Sequence, residues 1–492
     1  MTLHDDEHDR SAAIELDPAS EGSGGDDGGV APATTSEREV RARRALEALR
    51  AGVPNRDAVA ELGSLQVGVE DRFAELLDLV GAAEPAGGAG LDGQALGGSA
   101  ARATPQPKGV LIGGGFGSGK SHVLEHLAHV ALREGFVVSK VTVSKETPLY
   151  DSSKVYNASI EQARVPGRPG SALDELASAL DLDSPAYRDL YRWVHGDDAA
   201  VDKQFAATLY LFEYARGDDE LRDRILRFWA GDRLSVSDIR RRLREHGAGA
   251  SYRISSVREA ELSRQRFRFV ARLARAAGYR GWIVLLDEVE LIGRYSIGQR
   301  ARSYAEVARW VRGDRDDPVV PIGAVLATVD DFETQVLHGK NDLDSIPKRL
   351  RAKATLEDEL LATLAESGMR VLEHDQLRLQ PPGREELDRT YARLKAIHAE
   401  AFAWSPPEVS GLERLPSNRM RQYVRAWISE WDLRRLDPDY VPETELGELV
   451  VDLSEDAALE GAESLEVSDV PSAADADPYE SDDAGNAGSL GG

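Results

Sequence analysis

The sequence predicts an α/β fold, a parallel sheet flanked by helices, and three observations carry that prediction. The apolar run Gly109-Val-Leu-Ile112 leads into Gly114-Gly-Phe-Gly-Ser-Gly-Lys-Ser121, a complete G-x-x-x-x-G-K-[ST] loop. A second apolar run, Ile283-Val-Leu-Leu286, ends in Asp287-Glu288. A third, Pro321-Ile-Gly-Ala-Val-Leu-Ala327, ends at Thr328, and near-continuous apolar strands of this kind suit a sheet covered on both faces. Together they read as a P-loop NTPase sheet, with a helical insertion, a C-terminal helical lid and disordered acidic tails.

At 492 residues and 41% hydrophobic, the chain can bury a sizeable core over two or three domains. No run approaches the ~18 apolar residues of a membrane span. The first ten residues carry Asp5, Asp6, Glu7 and Asp9 where a secretory signal has basic and apolar regions. A cytoplasmic protein with no membrane partner is expected. The lack of cysteine excludes disulfides, Fe–S clusters and thiolate zinc sites. The formal charge of −26 sits in the tails: residues 1–38 carry a net −8 and residues 437–492 a net −17, leaving −1 for residues 39–436. A basic patch on the folded part is therefore compatible with the composition.

Along the chain, residues 1–38 and 437–492 are rich in Gly, Ser, Ala, Asp and Glu, poor in aromatics, and expected to be disordered. Over 39–81, Val40, Ala45, Leu46 and Leu49, then Phe73, Leu76, Leu77 and Val80, predict two amphipathic helices. The Gly/Ala/Pro-rich stretch 82–107 reads as a flexible linker. A first core part, 108–171, holds the loop strand, a helix over 121–133 and a strand over 136–143. Residues 172–250 turn helical without strand signals and read as an insertion. The core resumes over 251–380 with strands at 282–286 and 321–327 and a last one around 376–379. A helical lid, 381–436, follows, with one helix from 385 to about 403 and another over 417–433. The second carries Met420, Tyr423, Val424, Trp427 and Trp431 at helical spacing.

The chemistry follows from the loop. Backbone N–H groups of Gly114, Gly115, Phe116, Gly117, Ser118 and Gly119, with the positive helix end at Lys120, Ser121 and His122, are built to surround a polyphosphate. Lys120 would reach the β- and γ-phosphates and Ser121 would hold Mg²⁺. Asp287, at the end of a strand beside the loop, would share the Mg²⁺, and Glu288 would orient the attacking water. Glu290 competes for that role but lies past the strand tip. Thr328 is placed as a polar sensor or a simple strand-end cap, and Arg421 could lean over the nucleotide from the lid, with Arg419 and Arg425 as competitors. Arg349 and Arg351 could act in trans as an arginine finger in a homo-oligomer.

His122, Glu125 and His126 spell the inverted zinc-peptidase pattern H-x-x-E-H. That run is the helix leaving the loop, so its histidines are expected to be structural. Neither a nucleophile elbow nor a dinucleotide G-x-G-x-x-G is present. Two basic segments could meet DNA: Arg240, Arg241, Arg242 and Arg244 in the insertion, and Arg264, Arg266, Arg268, Arg272 and Arg275 before Asp287.

Four segments together resemble the ATP-binding BrxD-like proteins of BREX phage-defence systems over about residues 40–436. They are Val110-Leu-Ile-Gly-Gly-Gly-Phe-Gly-Ser-Gly-Lys-Ser-His122, Val143-Ser-Lys-Glu-Thr-Pro-Leu149, Leu285-Leu-Asp-Glu-Val-Glu-Leu-Ile-Gly-Arg-Tyr295 and Arg300-Ala-Arg-Ser-Tyr304. More distantly the layout is similar to origin-recognition-type AAA+ ATPases, with Val67-Gly-Val-Glu-Asp71 standing where those have V-G-R-E, so that Val69 replaces Arg. Arg421 falls where their second sensor arginine would be. The resemblance implies ATP and Mg²⁺ as cofactors and other BREX-type proteins as partners, a helicase and a methyltransferase among them. The expected function is that of an ATP-hydrolysing motor or switch on DNA or partner proteins. A slow or non-hydrolysing regulatory module that recruits partners, and a nucleotide-dependent transcriptional regulator, remain as alternatives.

Overall fold

The computed structural model describes residues 35–52, 55–82, 108–196, 199–214, 217–254, 256–314, 316–409 and 420–441. The expected linker over 82–107 apart from Ala82, the acidic tails apart from 35–38 and 437–441, and Arg419 lie outside the described residues. The first helix, Thr35–Ala51, begins four residues before the expected boundary at 39.

Six strands form one sheet: β1 Gly109–Gly113, β2 Val137–Thr142, β3 Ala163–Arg164, β4 Trp282–Asp287, β5 Ile322–Thr328 and β6 Gln376–Arg378. Their order is β3-β2-β4-β5-β1-β6. Every pairing is parallel except the short edge contact of β2 with β3, which the sequence did not announce because two residues carry no periodicity. Asp287 therefore does not end a strand next to β1. Strand β5 lies between, in register so that Gly113 faces Thr328.

Alternation along these strands feeds two cores. Val110, Ile112, Val138, Ile283, Leu285, Val325 and Ala327 face the helices Val67–Gly81 and Lys120–Arg133. Leu111, Val137, Val141, Val284, Leu286, Ala324 and Leu326 face the opposite layer, which includes Ser152–Glu161, Glu259–Ala276, Ile297–Arg312 and Leu356–His374. Both faces are thus apolar, as the unbroken strand composition requires. The helices Ala172–Ala179, Pro185–His195, Lys203–Tyr214, Asp219–Ala230 and Val236–Glu245 extend this second core rather than forming one of their own.

A third core sits apart from the sheet. Ala45, Leu46 and Leu49 of Thr35–Ala51 pack with Leu394 and Ile397 of Arg384–Phe402 and with Tyr423, Trp427 and Trp431 of Met420–Leu436. The two helical segments at opposite ends of the chain form one helical unit, while Val67–Gly81 belongs to the sheet layer. No described helix is long and apolar enough to cross a membrane.

Candidate functional site

The loop is assembled at the carboxyl end of β1. All five residues of β1 are buried, and Gly117 and Gly119 adopt φ of 78° and 104°, values an L side chain rarely takes. A Cβ on Gly114 would stand 2.4 Å from Ser118 Oγ, so the two residues pack closely across the turn. Lys120 begins the following helix, is 8% exposed, and donates from Nζ to the Gly114 carbonyl at 2.7 Å. Phe116 lies beneath it, the ammonium 5.0 Å from the ring centre.

Four other elements converge on this loop. Asp287 is buried at the end of β4, its Oδ1 accepting from the Glu288 amide at 3.0 Å. Glu288 takes a left-handed φ of 59° and caps the 3₁₀ turn Val289–Arg294. That turn doubles the chain back, and Glu290, past the strand tip in sequence, comes to lie 5% exposed with Oε1 at 3.8 Å from Lys120 Nζ. Thr328 is fully buried, and its carbonyl accepts from Gly114 N at 3.2 Å. The lid supplies Arg421, whose amide donates to the Gly117 carbonyl at 3.3 Å.

The electrostatics match this crowding. Burial pushes Glu290 up to about 7, opposed by Lys120 and reinforced by the Asp287 and Glu288 charges. Glu288 is also raised, by partial burial and then by Asp287, with Lys120 and Arg421 pulling the other way. Three buried polar atoms gathered here have no partner: Ser118 Oγ, Thr328 Oγ1 and Glu290 Oε2. Buried polar atoms are nearly always satisfied, so a cluster of orphans around one loop is what a polar ligand's place looks like.

Beside the loop opens a cleft of about 870 Å³ of empty space. Its walls are Leu62 to Gln66, Ser118, Gly119, His122 and Val123, and from the lid Glu386, Met420, Arg421 and Val424. His122 is held in place: Nε2 donates to the Gly63 carbonyl at 2.7 Å, and burial holds the ring below its ordinary range. Gln66 and Gln380 exchange hydrogen bonds at 3.1 and 2.9 Å and tie the first segment to the lid. Val69, the departure from V-G-R-E, is buried in the sheet core and is not among the cleft's lining residues. Leu62 to Gln66 had no motif to announce them, since their role depends only on the segment packing over the loop.

A family model described as BREX system ATP-binding protein BrxC/D matches residues 38–180 and 194–437. The chain belongs to that family. No curated protein and no solved structure matches it. Membership gives this BrxC/D chain an ATP-binding role in BREX defence. The match leaves out nearly all of both acidic tails, and its gap falls across the Pro185–His195 helix of the insertion.

Other expected residues of the BrxC/D chain are distributed differently. Arg240 donates to the Ile254 carbonyl at 3.0 Å, Arg241 pairs with Asp238 at 2.8 Å and Arg242 with Glu245 at 3.3 Å, while Arg244 is exposed. In Glu259–Ala276, Arg264 pairs with Glu306, the fully buried Arg266 with Glu259, Arg268 with Asp314 and Asp316, and Arg272 with Asp317. Arg275 donates to the Gly81 carbonyl. Those arginines hold the second core together. Arg351 is bound in its own chain by Glu366 and Glu359, whereas Arg349 is exposed. The H-x-x-E-H residues do not converge: Glu125 pairs with Arg164 at 3.0 Å and Lys140 at 3.7 Å, and His126 approaches Glu70 at 3.7 Å.

Proposed function

We propose that the chain binds ATP with Mg²⁺ in the Gly114–Ser121 loop and hydrolyses it as an AAA+-like P-loop motor or switch within a cytoplasmic BREX assembly. The observation that supports this best is the meeting of Lys120, Asp287, Glu288, Thr328 and Arg421, from separate stretches of chain, around one loop with orphaned polar atoms. On this reading the loop amides and Lys120 take the β- and γ-phosphates, and the apolar cleft walls, Leu62, Val123, Met420 and Val424, take the base. Lys120 already lies in a pocket of oxygen acceptors that a phosphate oxygen can replace.

Ser121 and Asp287 would hold the metal, both at the loop mouth and both hard oxygen ligands. Bound Mg²⁺ would neutralise charge on the phosphate oxygens. Glu288 orients the attacking water and receives its proton, suited to that by a carboxylate already raised above its usual range. Thr328 Oγ1 donates toward the terminal phosphate, and Arg421, carried by the lid, reports whether that phosphate is present. Arg349, rather than the internally paired Arg351, is the candidate for action in trans in a homo-oligomer.

Two variants test the assignment. Lys120→Ala should abolish ATP binding. Glu288→Gln should retain binding while turnover falls by about 10² to 10⁴, the usual worth of general acid–base catalysis. Unchanged turnover in Glu288→Gln would remove Glu288 from the role.

A further inference from the structure

Resting on the nucleotide reading above, the geometry points to Glu290 as a positioning residue that faces Lys120 and competes with phosphate for it. The pair is almost withdrawn from water: Lys120 is 8% and Glu290 5% exposed. Oε1 stands 3.8 Å from Nζ, longer than a direct hydrogen bond, so the carboxylate faces the ammonium without locking it. The lysine's short bond goes instead to the Gly114 carbonyl, in the loop a phosphate would enter. Oε2 has no partner at all, an arrangement a buried carboxylate adopts at a cost in free energy.

A phosphate entering the loop would draw Lys120 from Glu290 and meet a second anion in a water-poor space, where like charges repel strongly. The elevated position of the Glu290 carboxyl, about 7, fits a group whose negative charge is poorly accommodated. Glu290 thus sets how tightly polyphosphate binds. It weakens the polyphosphate complex, leaving the chemistry of the water to Glu288.

Binding of adenylyl-imidodiphosphate, with Mg²⁺, and of AMP to the full chain and to Glu290→Gln separates this role from a structural one. AMP offers no β- or γ-phosphate to Lys120. The expected result is a three- to tenfold tighter Kd for the triphosphate analogue in Glu290→Gln, with AMP affinity unchanged. Steady-state turnover should show the gain in KM with kcat within about twofold of the parent. Equal or weaker analogue binding, or an equal change for AMP, overturns the inference while leaving the nucleotide site standing. A kcat loss of the size expected for Glu288→Gln overturns it too, since Glu290 would then act on the water. If the parent chain itself fails to bind the analogue, the nucleotide reading falls and this inference with it.

Discussion

Glu290 shows at the scale of one residue how burial rather than sequence neighbours sets chemistry. Its carboxyl lies at about 7 in the folded chain against an ordinary carboxylate value of about 4.3. Between those limits the folded state binds more protons than the unfolded state, so stability falls as pH rises through that window. Above pH 7 the charge costs up to roughly 4 kcal/mol, at 1.36 kcal/mol per pH unit of displacement. Glu290→Gln should therefore unfold at higher denaturant concentration than the parent at pH 8, with the gap closing toward pH 4.5. An equal or lower midpoint at pH 8 would contradict that assignment. Lys120, Ser121 and Asp287 were legible in the sequence because their motifs are contiguous and their neighbours along the chain define their place. Glu290 was not, because only the left-handed Glu288 and the 3₁₀ turn after it bring the side chain back over Lys120.

Among the elements, Ile297–Arg312 and Leu356–His374 cross closely. A Cβ on Gly368 would lie 1.8 Å from the Tyr304 carbonyl oxygen, a clash with backbone that no rotamer relieves. The same stretch carries the fully buried Tyr304, which donates to Asp342 at 2.7 Å, and Arg300, paired with Asp342 at 2.8 and 2.9 Å. The Arg300-to-Tyr304 segment that marks the family resemblance is thus a buried network supporting the site. Alanine gains about 1 kcal/mol of helix propensity over glycine. Overpacking costs about 1–3 kcal/mol and more where backbone must move. Gly368→Ala should lose about 2 kcal/mol by denaturant titration, and a stabilised variant would mean the helices separate freely. Strands 282–287 and 322–328 were predicted nearly to the residue because their apolar runs have no competing reading. The order that inserts β5 between β1 and β4 was not, since parallel strands joined by long crossovers leave no local record of their neighbours.

For the whole molecule, the cleft is where the first sheet core, through Val123, meets the third core, through Leu49 and Val424. The first helix and lid share one core, and they reach the sheet through the Gln66–Gln380 pair, the His122 bond to Gly63 and the Arg421 bond to Gly117. Arg50 and Asp432, at 2.7 Å, fasten the first helix to the last. A ligand in the cleft binds both units at once and only in the folded chain. At a hundredfold excess over Kd it should add about 2.7 kcal/mol. The melting temperature should rise by a few degrees with the triphosphate analogue, and Lys120→Ala should lose that rise. A parent chain whose melting point ignores the analogue would argue against a cleft spanning the units.

The sequence by itself determined the sheet strands other than β3, the loop and its lysine, the carboxylate pair at 287 and 288, and the family, because these depend on contiguous residues whose types state their chemistry. For Arg421, expected to lean over the loop from the last helix, the structure gives an amide contact with the Gly117 carbonyl. Only the tertiary structure decided that Thr35–Ala51 joins the lid, that Leu62 to Gln66 wall the cleft, and that the arginines of Glu259–Ala276 hold acids. It also decided that Glu290 faces Lys120. Each of those depends on which distant segment arrives to pack, pair or withdraw water. A charge on a helix face reads the same in sequence whether its partner is an aspartate 46 residues away, as for Arg268, or the solvent.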